Sequence, residues 1–432
     1  MTDKVHRGSV LVGYDLGDDF SQLSYCTLGE GEVESVATVV GTKQYNIPTI
    51  LCKRKGINQW FYGKDALRFC NEEEDALVTH LLTAAKKGET IFLEEIEYDP
   101  IALLTLFLKR SLALLDFTTS TDRIDAIMFT VNELDDRMVE VLAKAAVNLN
   151  LMTNHIYFQS HTESFYNFIL HQEEELWNYQ VLACEHDGLQ LRTYRLERNK
   201  RTTPVVVLIE EQVYDTMVLP QEAESEEIKK DSYRLADEKL LQILQNQCDG
   251  RIISSVYLLG DGFRDGWPDR TLQFLCRNRR VFQGNNLFCK GACYSLIEKF
   301  EPSKAGTEHI FLGPDKLKSN IGMKVMKRGK ESYFALLDAG ENWYEVYREC
   351  EILLPDKETE ITFLITPLTG KGEIAEIITL ENVPAREGAF GRFRIEMKMT
   401  SPDRVEVTFT DLGFGELFAA SGMVWNKSFT VG

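Results

Sequence analysis

The chain has 432 residues, with 48 Lys and Arg against 67 Asp and Glu for a formal net charge of −19, and is 44% hydrophobic and 27% charged. That length exceeds what one hydrophobic core serves, so two or three domains are expected, and the mixture argues against a disordered or fibrous chain. A field of this sign repels phosphate backbones and anionic lipid, which argues against nucleic acid and membrane surfaces as partners.

The opening residues MTDKVHRGSVLVGYDLG are charged early and offer no apolar signal core, and the most apolar stretch, 101–117, is interrupted by Lys109 and Arg110. Neither export nor a membrane span is expected, and the expected location is cytoplasmic. Nine cysteines scattered from Cys26 to Cys350 lack the paired spacing of a zinc site and read as reduced, mostly buried thiols. The histidines form no ligand cluster.

In chain order, SVLVGYDLG, SQLSYCTLG and VESVATVV are β-rich runs separated by Gly17-Asp18-Asp19 and Gly29-Glu30-Gly31, which predicts two hairpins. Asp99 as cap and Pro100 in the first turn open a helix over IALLTLFLKRSLALL. The strand IDAIMFTV then leads into the helix LDDRMVEVLAKAAVNLNL, with Met138, Leu142 and Ala145 at helical spacing. The plan begins again after a helical ESFYNFILHQ: YQVLACEHDGLQLRTYRLE is a hairpin around Asp187-Gly188, PVVVLIEEQ a further strand, 224–247 a long polar helix, and SSVYLLG a strand before GDGFRDGWP and the helix PDRTLQFLCRN. Two lobes of similar plan are the economical reading.

After Phe300, EPSKAGTEHIFLGPDK concentrates Pro, Gly and charge and reads as a boundary. Beyond it, Phe393, Ile395, Met397 and Met399 alternate with Arg394, Glu396 and Lys398, and Val405, Val407 and Phe409 repeat the period. Turns at PDKE, TGKGE and SPDR mark out some seven or eight strands between 322 and 431, an all-β domain. Trp343 and Tyr344 near its start read as core aromatics before they read as a binding patch.

These motifs, in this order, resemble the superfamily of actin, sugar kinases and DnaK-type seventy-kilodalton heat-shock chaperones. VGYDLGDDFSQLSY is similar to the first phosphate hairpin, YGKDALRF to the short Gly-and-Ala motif after it, and IDAIMFTVNELDDRMVEVLAKAAVNLNL to the strand and helix of lobe one. SSVYLLGDGFRDGWP resembles the adenosine-site turn and CKGACYSL the Gly-Ala helix that closes the domain. LENVPAREGAFGRFRIEMKMTSPDRVEVTFTDLGFG looks like the chaperones' peptide-binding sandwich, which picks the chaperone branch, as a divergent bacterial-type relative with degenerate phosphate loops.

The fold this implies is α/β, a two-lobed actin-like (ribonuclease H-like) ATPase fold with a C-terminal all-β sandwich: lobe one over 8–160, a shortened lobe two over 161–300, a linker over 301–319 and the sandwich over 320–432. The implied nucleotide-site residues are Asp15, Gly17, Ser21, Gly188, Gly260, Gly262 and Arg264, with Asp15 and Asp187 the candidate magnesium ligands. The implied catalytic set is Asp15, Asp187, Lys86 (or its neighbour Lys87) and Glu163. Ordinary turn chemistry is the alternative reading of Gly17-Asp18-Asp19, Gly260 and, above all, Asp187-Gly188, and an exposed lysine pair and a helix-cap carboxylate are the alternatives for Lys86, Lys87 and Glu163.

The phosphate loops depart from the family pattern. Asp18 and Asp19 stand where the family has hydroxyl residues, and one carboxylate about 4 Å from a phosphate charge costs roughly 4 kcal/mol at an effective dielectric near 20, on the order of a thousandfold in affinity. Outward-pointing carboxylates or a magnesium ion would relieve it. The second loop, CEHDGLQL, keeps only Gly188 of a glycine run, with Glu185 or Asp187 in place of the family aspartate. The interval 188–260 is shorter than the chaperones', and no helical lid is expected after 431.

The leading expectation is therefore a non-hydrolysing or weakly nucleotide-binding pseudo-chaperone, an interaction scaffold that engages a protein or peptide partner through its cleft or sandwich, with ATP or ADP and magnesium as its cofactors or none at all. The alternative is an ATP-dependent chaperone, an ATP hydrolase in which Asp15, Asp187 and Lys86 or Lys87 orient metal and water. A small-molecule kinase would have no use for the sandwich.

Overall fold

A computed structural model describes residues 5–39, 41–70, 76–118, 123–219, 226–264, 266–284, 286–356, 358–370, 372–386, 390–415 and 418–431. The chain divides into two compact units, one made of Met1–Arg198 with Val207–Glu308 and the other of Asn199–Val206 with His309–Gly432.

Two sheets of one plan organise the first unit. One runs Ile156–Ser160, Ile124–Val131, Val10–Leu16, Phe20–Thr27, Glu30–Ser35, and the other runs Arg280–Gln283, Ile253–Leu259, Gln180–His186, Leu191–Asn199, Val205–Tyr214. Numbered along the chain over these five strands, both read five, four, one, two, three, and each sheet has a sixth strand besides these. In each, the first strand pairs antiparallel with the second and parallel with the fourth. Antiparallel neighbours need only a hairpin, whereas parallel ones need a crossover, and the chain supplies helices at those places: Pro100–Leu112, Asp136–Leu149, Glu226–Cys248 and Asp269–Leu275.

Local chemistry starts and stops these helices. The Asp99 carboxylate accepts from the Ile101 amide at 3.1 Å with proline in the first turn. Asp135 accepts from the Met138 amide at 2.8 Å, and Asn150 closes the same helix in the left-handed region at φ 50°. Its buried face is Met138, Val141, Leu142, Ala145, Ala146 and Leu149, and each of the larger side chains contributes about 1.5–3 kcal/mol by leaving water.

The helices His161–Leu170 and Leu287–Phe300 pack directly on each other and on the first sheet. Small residues set the distance, as CKGACYSL leads one to expect. A Cβ on Gly291 would fall 2.0 Å from the Ser164 carbonyl oxygen, and one on Gly13 would fall 2.1 Å from that of Cys289. Backbone against backbone at these points leaves room for hydrogen alone.

In the second unit, eight strands form two antiparallel sheets of four: Lys330–Leu337, Ser319–Lys327, Glu360–Pro367, Ile374–Thr379, and Tyr347–Leu354, Gly391–Ser401, Arg404–Gly413, Val424–Thr430. The alternating set Phe393, Ile395, Met397, Met399, Val405, Val407 and Phe409 is buried. The Phe363 ring, from the first sheet, lies 5.3 Å from that of Phe429 and 6.4 Å from that of Phe409 in the second, so inward faces of the two sheets meet there. Trp343 is buried, with Tyr344 edge-on against it.

Four expectations change in detail. The apolar run 101–117 is helical only over Pro100–Leu112 and ends in a 3-10 turn, Ala113–Phe117. The hairpin at Asp187-Gly188 pairs His186 with Leu191, so its loop has four residues, held by the Asp187 carboxylate. The stretch read as a linker, 301–319, contains the helix Lys304–Glu308 and the strand His309–Phe311, because the Ser303 hydroxyl accepts from the Gly306 amide at 2.9 Å and starts a turn. Finally, Cys52 and Cys70 are joined as a disulfide across a Cα separation of 6.0 Å, the other seven cysteines being free. Among the described residues no helix is long and apolar enough to cross a membrane.

Candidate functional site

The first unit holds a cavity of about 420 Å³ lined by residues at the C-terminal ends of Val10–Leu16, Ile124–Val131, Gln180–His186 and Ile253–Leu259. The volume suits a small ligand, and the carboxyl ends of strands in an open α/β sheet are where ligands bind. Of the sequence-derived site residues, Asp15, Gly17, Lys86, Asp187 and Gly260 line it, while Ser21, Glu163, Gly188, Gly262 and Arg264 do not.

Asp15, at the end of the first strand, meets His161, the first residue of its helix, with Oδ1 2.8 Å from Nε2. The imidazole is 8% exposed and stacks on the Phe288 ring at 4.0 Å. Burial opposes its protonation, but the Asp15 carboxylate and, more weakly, Glu185 outweigh that, and its pKa is raised. Glu185 accepts from the Tyr194 hydroxyl at 3.0 Å, and burial, its main influence, raises its pKa. A histidine–carboxylate pair whose imidazole holds its proton more readily than a free one, and a carboxyl whose pKa burial raises, therefore line one cavity.

The first loop turns tightly at Gly17, where a Cβ would fall 2.7 Å from the Phe20 carbonyl oxygen. Asp18 then does a capping residue's work. It accepts from the amides of Leu82 and Thr83 at 3.0 Å each and from the Thr83 hydroxyl, at the start of the helix Leu81–Lys87. His80, the residue in cap position, has left-handed backbone and makes no side-chain cap bond, so the cap comes from 64 residues earlier in the chain. Asp19 is exposed. Ser21 is fully buried, with its hydroxyl 2.8 Å from that of Thr49.

In the second loop, the exposed Asp187 accepts from the amides of Leu189 and Gln190 at 2.7 and 2.9 Å, so its carboxylate folds its own hairpin. Gly188, at φ 102°, donates its amide to His186 Nδ1 at 2.9 Å. His186 in turn explains the glycines of the later turn: a Cβ on Gly260 would lie 2.4 Å from the His186 carbonyl oxygen, and one on Gly262 2.2 Å from its Nδ1. Arg264 is 60% exposed and pairs with Asp261 at 2.8 Å. Asp261 also accepts from Asn46 at 3.0 Å, tying the loop after the second sheet's fourth strand to a segment of the first.

Lys86 has its Nζ 2.7 Å from Asp135, the carboxylate that caps the helix Asp136–Leu149; burial opposes its protonation, and Asp135 with Glu133 raises its pKa. Lys87 is exposed beside Glu89. Glu163 is buried on the His161–Leu170 helix, away from the cavity wall. Among the described residues no three His, Cys, Asp or Glu side chains converge as metal ligands, and neither Asp15 nor Asp187 is uncommitted. Seven carboxylates line the cavity against Lys86 and Arg192, so an entering polyanion meets repulsion before it meets a cation.

Sequence reasoning missed His161, Phe288 and Asn46. The available signal was positional: His161 directly follows the strand Ile156–Ser160, where a helix start meets a sheet end.

The fold and site define a mixed α/β protein with two sheets of similar plan, a carboxylate-rich cavity at its strand ends, and an antiparallel β unit. The chain belongs to the family described as "Family of unknown function (DUF5716) C-terminal", whose model matches residues 32–314, and residues 316–431 match "Domain of unknown function (DUF8552)". No curated protein matches the sequence.

Proposed function

We propose that this chain is a divergent actin-like relative of the DnaK-type chaperones whose cleft has given up phosphoryl transfer, and that it serves in the cytoplasm as a scaffold for a protein or peptide partner, engaged through the cleft or the β-sandwich. The observation that carries the reading is the internal employment of the loop carboxylates: Asp18 caps a helix and Asp187 folds its own turn. Asp15, the implied metal-orienting group, is held by His161.

Support for the two-lobed likeness comes from the strand order that the two sheets share over five strands and from the cavity at their carboxyl ends. Against magnesium-nucleotide chemistry stands the fit of the residues themselves. A polyphosphate cradle needs free amides and neutral donors, whereas the Leu82 and Thr83 amides already serve Asp18. The charge of −19 disfavours nucleic acid as the partner.

Thermal-shift and phosphate-release assays on the full chain test this reading. No response to magnesium-ATP or magnesium-ADP is expected; steady phosphate release abolished by Asp15→Ala would support the ATP-driven chaperone instead.

A further inference from the structure

Away from the cavity, two thiols lie in contact. Cys26, on the strand Phe20–Thr27, and Cys293, on the helix Leu287–Phe300, have their sulfurs 3.4 Å apart. They are 267 residues apart in the chain and 3% and 0% exposed. The surroundings are apolar, with Leu11, Ala126, Met128, Ala292 and Leu296 in the same cluster. Cys289, one turn earlier, is engaged elsewhere, its sulfur 3.0 Å from the Ser24 hydroxyl.

We propose that Cys26 and Cys293 form an oxidation site that a small peroxide converts to a disulfide. A disulfide is about 2.05 Å long, so the sulfurs, 3.4 Å apart, must close by about 1.4 Å. The Cys293 thiol donates toward Cys26, lowering the pKa of Cys26, while burial drives that of Cys293 well up. Cys26 is thus the nucleophile and Cys293 the resolving thiol. Burial restricts the oxidant to one the size of hydrogen peroxide.

The chemistry balances in two steps. The Cys26 thiolate attacks one peroxide oxygen, an S–O bond forms, the O–O bond breaks, and the departing hydroxide takes up the proton released by Cys26 to give water. Cys293 sulfur then attacks the Cys26 sulfenic sulfur, an S–S bond forms, the S–O bond breaks, and the hydroxide leaves with the Cys293 proton as a second water. Two thiols lose two electrons and one peroxide gains them. The product staples the first hairpin to the helix that packs on His161–Leu170.

The test uses the full chain carrying Cys276→Ser and Cys350→Ser, which removes the two thiols outside the buried set. After treatment with hydrogen peroxide, the protein is unfolded, alkylated and digested. The expected result is a Cys26–Cys293 cross-linked peptide, two fewer alkylatable thiols, reversal by dithiothreitol and a raised melting temperature. Adding Cys293→Ala should leave Cys26 as sulfenic acid, trapped by dimedone added with the denaturant once the buried sulfur is released. Recovery of both thiols fully alkylated, or pairing of Cys26 with Cys289, from protein whose cooperative melt before oxidation shows it folded, overturns the proposal.

Discussion

His161 Nε2 lies 2.8 Å from Asp15 Oδ1, so the carboxylate at the end of the first strand faces an imidazole of the same unit. The pair is nearly buried, with side-chain exposures of 8% and 13%. Because the folded-state pKa of His161 is raised above the ordinary value, the stability it contributes is complete below that ordinary pKa of about 6.5 and is lost as pH rises through the folded value. His161→Gln keeps a hydrogen-bonding side chain without the charge. Its deficit relative to the parent should be about 2 kcal/mol near pH 6 and should shrink toward alkaline pH. Urea unfolding of both proteins across that range measures it, and a pH-independent deficit would contradict an ionic pair.

Asp18 has a structural assignment that a binding role does not share. Asp18→Ala should cost about 1 kcal/mol, as loss of a helix cap does, and Asp18→Asn should recover most of it. Chemical denaturation distinguishes this from the alternative: were Asp18 an idle, repulsive carboxylate in a phosphate loop, removing it would leave stability unchanged or improve it.

Gly291 sits where two helices touch through their backbones. Alanine is the better helix former by about 1 kcal/mol, yet its Cβ would fall 2.0 Å from the Ser164 carbonyl oxygen. Gly291→Ala should therefore destabilise by up to about 2 kcal/mol, since overpacking typically costs about 1–3 kcal/mol and the propensity gain of about 1 kcal/mol is subtracted from it. Thermal melts showing a gain would mean the helices separate easily.

In the β unit, Arg386 Nη2 lies 2.6 and 2.7 Å from the two carboxylate oxygens of Asp411, and both residues are buried. Burial alone would raise the Asp411 pKa, but bonds from Ser421, Arg386 and the Gly413 amide outweigh it and lower the pKa to about 2. A depressed carboxyl contributes stability that is present above its unfolded pKa of about 3.9 and lost as pH falls toward 2. Asp411→Asn should cost about 3–5 kcal/mol at neutral pH by leaving Arg386 buried and without its counter-ion. The deficit should narrow in acid, as followed by Trp425 and Trp343 fluorescence during denaturation.

The residues differ in how much of this they disclose. Strand alternation and helical spacing put Met138, Val141 and Leu142 on one face and Phe393, Ile395 and Met397 on another, because burial follows local period. The same period held an unused clue: Val405, Val407 and Phe409 continue to Asp411, and a charge on an inward position requires a buried partner. Arg386 could not be named as that partner, since 25 residues separate them. The cavity was legible in outline at Asp15 and Gly260. It was obscure wherever function and turn chemistry use the same residues. Asp18 read as damage to a phosphate loop, whereas its bonds run to a helix 64 residues away, and no local pattern encodes such a contact.

Titration calorimetry of the full chain with magnesium-ATP, run beside a phosphate-release assay, bears most directly on the proposed loss of phosphoryl transfer. With Asp15 held by His161, Asp18 capping a helix and Asp187 closing its own turn, no saturable binding tighter than about 1 mM and no phosphate release are expected, a standard free energy no better than about −4 kcal/mol. Micromolar binding with steady phosphate release, both abolished by Asp15→Ala, would contradict it.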